Sequence, residues 1–119
     1  MITIYHNPRC SKSRAACELI VNTLNVMGEP VRIVEYLKQP PNVDELKELH
    51  QRIGVSVRDM IRENEPVYQE LGLGNTALTD SALLEAIVQH PILLQRPIVT
   101  RNGRAVIGRP TENVRTLFD

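Results

Sequence analysis

Tryptophan is absent from this chain, phenylalanine occurs once and tyrosine three times. So few rings exclude the aromatic platforms on which single-stranded nucleic acids stack. Neither sign of charge prevails, because 14 Lys and Arg face 14 Asp and Glu. No net field therefore draws the chain to nucleic acid or to an acidic membrane surface. No apolar run approaches the roughly 20 residues of a membrane span. The opening "MITIYHN" lacks the basic and then apolar character of a secretory leader. Cysteine is scarce too: Cys10 and Cys17 are too few for a disulfide framework. A cytoplasmic protein with reduced thiols is expected.

Apolar residues make up 42% of the 119 and charged residues 24%, a globular composition for a single domain, 1–119. "ITIY" (2–5) is β-rich and stops at Asn7-Pro8, which predicts a first strand. From Ser11 the period changes. Ala16, Leu19, Ile20, Leu24 and Met27 follow helical spacing, and Gly28 closes the run. "VRIVEYL" (31–37) reads as a second strand, ended by Pro40-Pro41. Strand, helix and strand in this order form a βαβ unit with parallel strands and a right-handed crossover.

The middle of the chain is helical. Asn42 is placed to cap "VDELKELHQRI", in which Val43, Leu46, Leu49 and Ile53 share a face. Ser56 with Asp59 resembles a capping box at the start of "VRDMIREN". Pro66 interrupts before "VYQELGL", and Thr79 caps "DSALLEAIVQH", which ends at Pro91. A period of two returns at "PIVT" (97–100), and the Asn-Gly of "RNGR" is a strong hairpin signal before "AVIG" (105–108). Thr111 then caps a last helix through Val114, Leu117 and Phe118. No repeat, low-complexity tract or linker intervenes. The order predicts an α/β, thioredoxin-like fold: a four-stranded mixed sheet flanked by helices, with a helical insertion between strands 2 and 3 over about 42–91.

"YHNPRCSKSR" (5–14) puts Cys10 where the first helix begins. Free N–H groups of a helix start face such a sulfur, and the helix dipole favours negative charge there. Arg14, one turn on, adds cationic charge. Both effects lower a thiol pKa and enrich the nucleophilic thiolate. The plainer role for a cysteine is that of a small buried hydrophobe, but Arg9, Ser11 and Lys12 make a poor place to bury one. Basic surroundings, Arg14 among them as a candidate anion ligand, and a helix N-terminus suit an anion. Arg62, Arg96 and Arg109 each lie at a junction between a loop and an element. Singly each suits a solvated surface charge; jointly they offer the planar forks that grip tetrahedral oxyanions.

Four motifs, "YHNPRCSKSR", "SVRDMIREN", "QHPILLQRPIV" and "GRP", resemble those of the glutathione- and glutaredoxin-coupled arsenate reductases of the thioredoxin-like superfamily. Their order and spacing match over about residues 2–118. The resemblance implies that Cys10 attacks arsenate and that Arg62, Arg96 and Arg109 bind the anion. It implies that His6 and Ser13 stabilise the thiolate and that Pro97 is cis. It also implies glutathione as co-substrate, glutaredoxin as partner and no bound cofactor. The chain departs from the family in Ser11-Lys12 after the cysteine, in a longer first helical region and in ending soon after the last helix.

His50 and His90 lack a second ligand at metal spacing, so no metal site is expected. Cys-x3-Arg is not the Cys-x5-Arg loop of tyrosine phosphatases, and "CSKS" lacks the second thiol of a dithiol oxidoreductase. Cys17 lies seven residues beyond Cys10, about 10 Å along a helix, too far for a disulfide. It falls on the flank of the apolar stripe, as a partly buried packing residue. Two other functions remain open at this point. One is a glutathione-dependent thiol reductase with another substrate. The other is a redox-sensing regulator that binds RNA polymerase and catalyses nothing; such regulators commonly carry a second cysteine where this chain has Ser13 and lack the Arg seen at Arg109.

Overall fold

The computed structural model describes residues 1–119, which form two compact units: Met1–Gln39 with Arg96–Asp119, and Pro40–Gln95. The second unit extends the insertion expected at 42–91 by a few residues on each side.

In the first unit, β1 (Ile2–His6), β2 (Val31–Glu35), β3 (Ile98–Arg101) and β4 (Arg104–Ile107) form a sheet in the order β2-β1-β3-β4. β1 and β2 run parallel, with Ile2 opposite Val31 and His6 opposite Glu35. β3 is antiparallel to both β1 and β4. The β3–β4 turn forms because Asn102 and Gly103 both take positive φ (52° and 77°), the twist that a two-residue hairpin requires. Alternation along β1 sends Ile2 and Ile4 to one face. There they join Ala16, Ile20, Val99, Val114 and Leu117 in a fully buried core. Burial of each Ile, Val or Leu side chain contributes about 1.5–3 kcal/mol, and this core seats the first helix against the sheet.

That helix, α1 (Ser11–Leu19), differs from the expected run to Gly28. It passes into a π-type turn at Ile20–Leu24, and Asn25 ends it. The Asn25 side chain accepts from Glu29 N–H and donates to Glu29 O, both at 2.9 Å, which competes with further helix. Met27, assigned to the apolar face by periodicity, is 80% exposed. β2 stops at Glu35 rather than Leu37, because the Lys38 and Gln39 amides turn back onto Glu35 O. The last segment, Thr111–Phe118, is a 3₁₀ helix, with Pro110 rather than Thr111 at its N-cap. Its buried residues Val114 and Leu117 are three apart, which a period of three residues per turn superimposes.

In the second unit, α2 (Val43–Ile53) begins as expected, with Asn42 accepting from the Glu45 amide at 2.8 Å. α4 (Asp80–Gln89) is capped by Thr79, which accepts from Ala82 at 3.1 Å. Between them "VRDMIREN" forms only a 3₁₀ turn, Val57–Met60, after which Ile61 is extended. The helix stops because Ile61 pairs with Leu94 across the chain. The Arg62 amide donates to Leu93 O (2.7 Å) and the Gln95 amide to Met60 O (2.8 Å). Pro66 opens the short α3 (Pro66–Glu70), at the position where a missing N–H costs nothing. No helix of the chain is long and apolar enough to cross a membrane.

Candidate functional site

Cys10 is the N-cap of α1, in extended conformation (φ −96°, ψ 122°), and its thiol is half-exposed. A tight turn delivers it there. The Cys10 amide donates to Asn7 O (3.0 Å), and the Arg9 amide to Asn7 Oδ1 (3.0 Å). Asn7 is thus the hub of the loop, a role its Asx-turn chemistry supports.

Burial pushes the Cys10 thiol up, but opposing influences outweigh it. The N–H groups of Ser13 and Lys12 face the sulfur, and the Arg96 guanidinium adds its charge and a hydrogen bond. The thiol therefore ionises below its ordinary value. The helix start acts as the sequence suggests, whereas the charge comes from Arg96 and not from Arg14. Arg14 reaches back to donate from Nη1 to Pro8 O (2.8 Å), and its charge bears on His6.

Arg96 is half-buried, and two of its nitrogens, Nε and Nη1, are buried without a hydrogen-bond partner in the protein. Buried guanidinium donors are costly to leave unpaired. A planar cation held open beside a thiolate is suited to two oxygens of an anion. The Arg96–Pro97 peptide is cis, and so is Arg109–Pro110. The Gly108 amide donates to Pro97 O at 2.8 Å, which brings the segment carrying Arg109 beside the one carrying Arg96. Gly108 makes this approach close. A Cβ there would lie 2.9 Å from Pro97 Cγ and 3.2 Å from Val114 Cγ1. Arg109 itself is exposed, and its carbonyl accepts from Asn113 Nδ2 at 3.2 Å.

Ser13 is completely buried. Its amide faces Cys10, while its hydroxyl accepts from the Asn7 amide at 3.1 Å. His6 lies against the other cysteine, with Nδ1 3.6 Å from Cys17 Sγ. Arg62 belongs to the second unit, where Nη1 pairs with Glu65 Oε1 at 3.3 Å. No group of three or more His, Cys, Asp or Glu side chains converges on one point.

Periodicity did not bring out Asn7, Gly108, Glu65 or the Cys17–His6 contact. Asn7 next to Pro8 was legible as a turn, and "GRP" as a motif; the other two depend on tertiary placement.

The sheet order and the crossover define a thioredoxin-like α/β protein with a cysteine at the start of its first helix. Residues 5–117 match the ArsC family. An arsenate reductase of Neisseria meningitidis serogroup B is 49% identical over 118 residues, 98% of this chain and 97% of the relative. The arsenate reductase of Escherichia coli K12 is 44% identical over 113 residues, 95% of this chain and 77% of the relative. The solved arsenate reductase of Vibrio cholerae superposes with a TM-score of 0.90 at 45% identity, covering 98% of this chain and 96% of that one. The chain belongs to the ArsC family.

Proposed function

We propose that this chain reduces arsenate to arsenite, with glutathione as co-substrate and glutaredoxin as partner, in a reducing cytoplasm. The observation that carries the reading is the pairing of an easily ionised Cys10 with an Arg96 whose buried Nε and Nη1 lack protein partners. Membership of the ArsC family and the names of the relatives supply the substrate class.

Arg96, with Arg109, binds the arsenate dianion through charge-assisted hydrogen bonds. The Cys10 thiolate attacks arsenic. An S–As bond forms, and one arsenate oxygen leaves as water after protonation. The arginine charge and the α1 N–H groups stabilise the charge gathered in the transition state. A glutathione thiolate then attacks the Cys10 sulfur. The S–S bond forms, the S–As bond breaks, and its electron pair stays on arsenic, which departs as arsenite. A glutaredoxin thiolate takes the glutathione sulfur and frees Cys10.

An assay coupling arsenate, glutathione, glutaredoxin and NADPH oxidation tests this. Turnover is expected for the wild type and lost in Cys10→Ser. Cys17→Ser keeps most of it, because Cys17 is not the resolving thiol. Glutathione is expected on Cys10 by mass spectrometry after one turnover. Turnover that survives without glutathione, or an internal Cys10–Cys17 disulfide, contradicts the monothiol scheme.

A further inference from the structure

Cys17 has no part in the chemistry proposed for Cys10, yet it is built into the same loop. Three side chains of α1 hold three consecutive residues that lead into Cys10. Ser13 Oγ accepts from the Asn7 amide (3.1 Å), Arg14 Nη1 donates to Pro8 O (2.8 Å), and Cys17 Sγ lies 3.6 Å from His6 Nδ1. Ser13 and Cys17 are four apart and stack on one side of the helix. The contact therefore ties the second turn of α1 to the last residue of β1, where the loop begins.

The charge states narrow its direction. Burial raises the Cys17 thiol, and Glu18 raises it further, so the sulfur keeps its proton. Burial lowers His6; Glu35, opposite it on β2, opposes this and Arg14 on α1 reinforces it, and the net direction is down. Between a protonated thiol and a neutral imidazole two arrangements remain: S–H donates to Nδ1, or Nδ1–H donates to the sulfur. The first is favoured, because an imidazole nitrogen is a far better acceptor than a thiol sulfur. The reverse pair, thiolate and imidazolium, is disfavoured by the burial of both groups.

We propose that Cys17 is a positioning residue, whose S–H holds His6 through Nδ1 and fixes the ring in its Nε2–H tautomer at the root of the Cys10 loop. Its relevance to turnover rests on the function proposed above; the hydrogen bond itself does not. The second cysteine is thereby a hydrogen-bond donor, and a hydroxyl can replace it while a methyl cannot.

The test is a two-bond ¹H–¹⁵N correlation of the His6 ring in the ¹⁵N-labelled full chain, for wild type, Cys17→Ser and Cys17→Ala, across a pH titration. The wild type is expected to show an unprotonated Nδ1 and a protonated Nε2, and Cys17→Ser the same pattern. Cys17→Ala is expected to show mixed tautomers, with the imidazole midpoint raised by about 0.5–1 pH unit, since a bond that stabilises the neutral ring is gone. A protonated Nδ1 in the wild type overturns the proposal whether or not the alanine variant folds. So does an alanine variant with the wild-type tautomer and midpoint. The readout needs no arsenate, so a failure of the proposed function leaves it standing.

Discussion

Arg96 precedes β3 and Arg101 closes it, yet the two guanidiniums keep different company. Arg101 uses every nitrogen within the protein. Nε and Nη2 donate to Glu29 Oε2 at 2.8 and 2.6 Å, Nη1 donates to Leu117 O at 2.6 Å, and the plane lies 4.6 Å from the Phe118 ring centroid. Those contacts join the end of β3 to the segment before β2 and to the C-terminal 3₁₀ helix. Arg96 leaves two buried nitrogens unpartnered and turns its charge on Cys10. The same side chain is a structural rivet at one end of the strand, and at the other it keeps donors open for the anion proposed to bind there. An arginine's chemistry is thus read from its hydrogen-bond accounting, since residue type is the same in both places.

Exchanging the two roles by mutation separates them. Arg96→Ala is expected to lower kcat/KM for arsenate about ten- to a hundred-fold, the cost of about one charge-assisted contact in the transition state, with little change in melting temperature. Arg96→Lys also loses activity, because an ammonium cannot reproduce the fork. Arg101→Ala is expected to do the opposite. Its melting temperature falls by on the order of 5–10 °C, as three lost hydrogen bonds predict for a chain of this size, while kcat/KM of the folded protein stays near wild type. Thermal melts and steady-state kinetics on both variants check the crossover. A stability loss confined to Arg96→Ala would dissolve the contrast.

Gly108→Ala lies between these cases. The added methyl must displace the Pro97 ring or Val114. Overpacking of this kind costs about 1–3 kcal/mol, and because Pro97 follows Arg96, part of the effect falls on arsenate KM. A variant with wild-type stability and KM would show that the Gly108–Pro97 approach does not set the arginine geometry.

The smallest expected effect is a pH dependence at the structural end. Hydrogen bonds from Arg101 hold the Glu29 carboxyl below its ordinary value; burial opposes this, and the Arg101 charge and the N-terminal ammonium add to it. The folded pKa lies below the unfolded one, so the stabilisation is fully present above about pH 4.3. It is lost as the pH falls through the folded value. Glu29→Gln should therefore flatten the acid limb of melting temperature against pH and leave arsenate turnover near pH 7 unchanged.

Elements set by local chemistry were legible in the sequence: β1, the Asn-Gly hairpin, and the α2 and α4 starts at Asn42 and Thr79. Those that pair at long range were not. "VRDMIREN" carries helical signals, but Ile61 is claimed by Leu94, more than thirty residues on. The C-terminal helix has apolar spacing that suits both α and 3₁₀ periods, and packing of Val114 and Leu117 against the sheet decides it. At the site, the helix-start thiol could be read from "NPRCSKS". Arg14 was the charge nearest Cys10 in sequence, whereas the fold brings Arg96 to it from the far side of the chain. The resemblance implies a role for His6 at Cys10, while its contact with Cys17 depends on how α1 packs against β1 and is not legible in the sequence.

The most direct test of the partnership between Cys10 and Arg96 is the rate of Cys10 alkylation by iodoacetamide against pH, in a Cys17→Ser background that leaves one reactive thiol. With Arg96 present, the midpoint is predicted below the ordinary thiol value of about 8.5, and arsenate is predicted to slow the reaction at neutral pH. In Arg96→Ala the midpoint rises and most of the protection by arsenate is lost. Equal midpoints and equal protection in the two proteins would contradict the account, because Arg96 would then neither activate the thiol nor hold the anion.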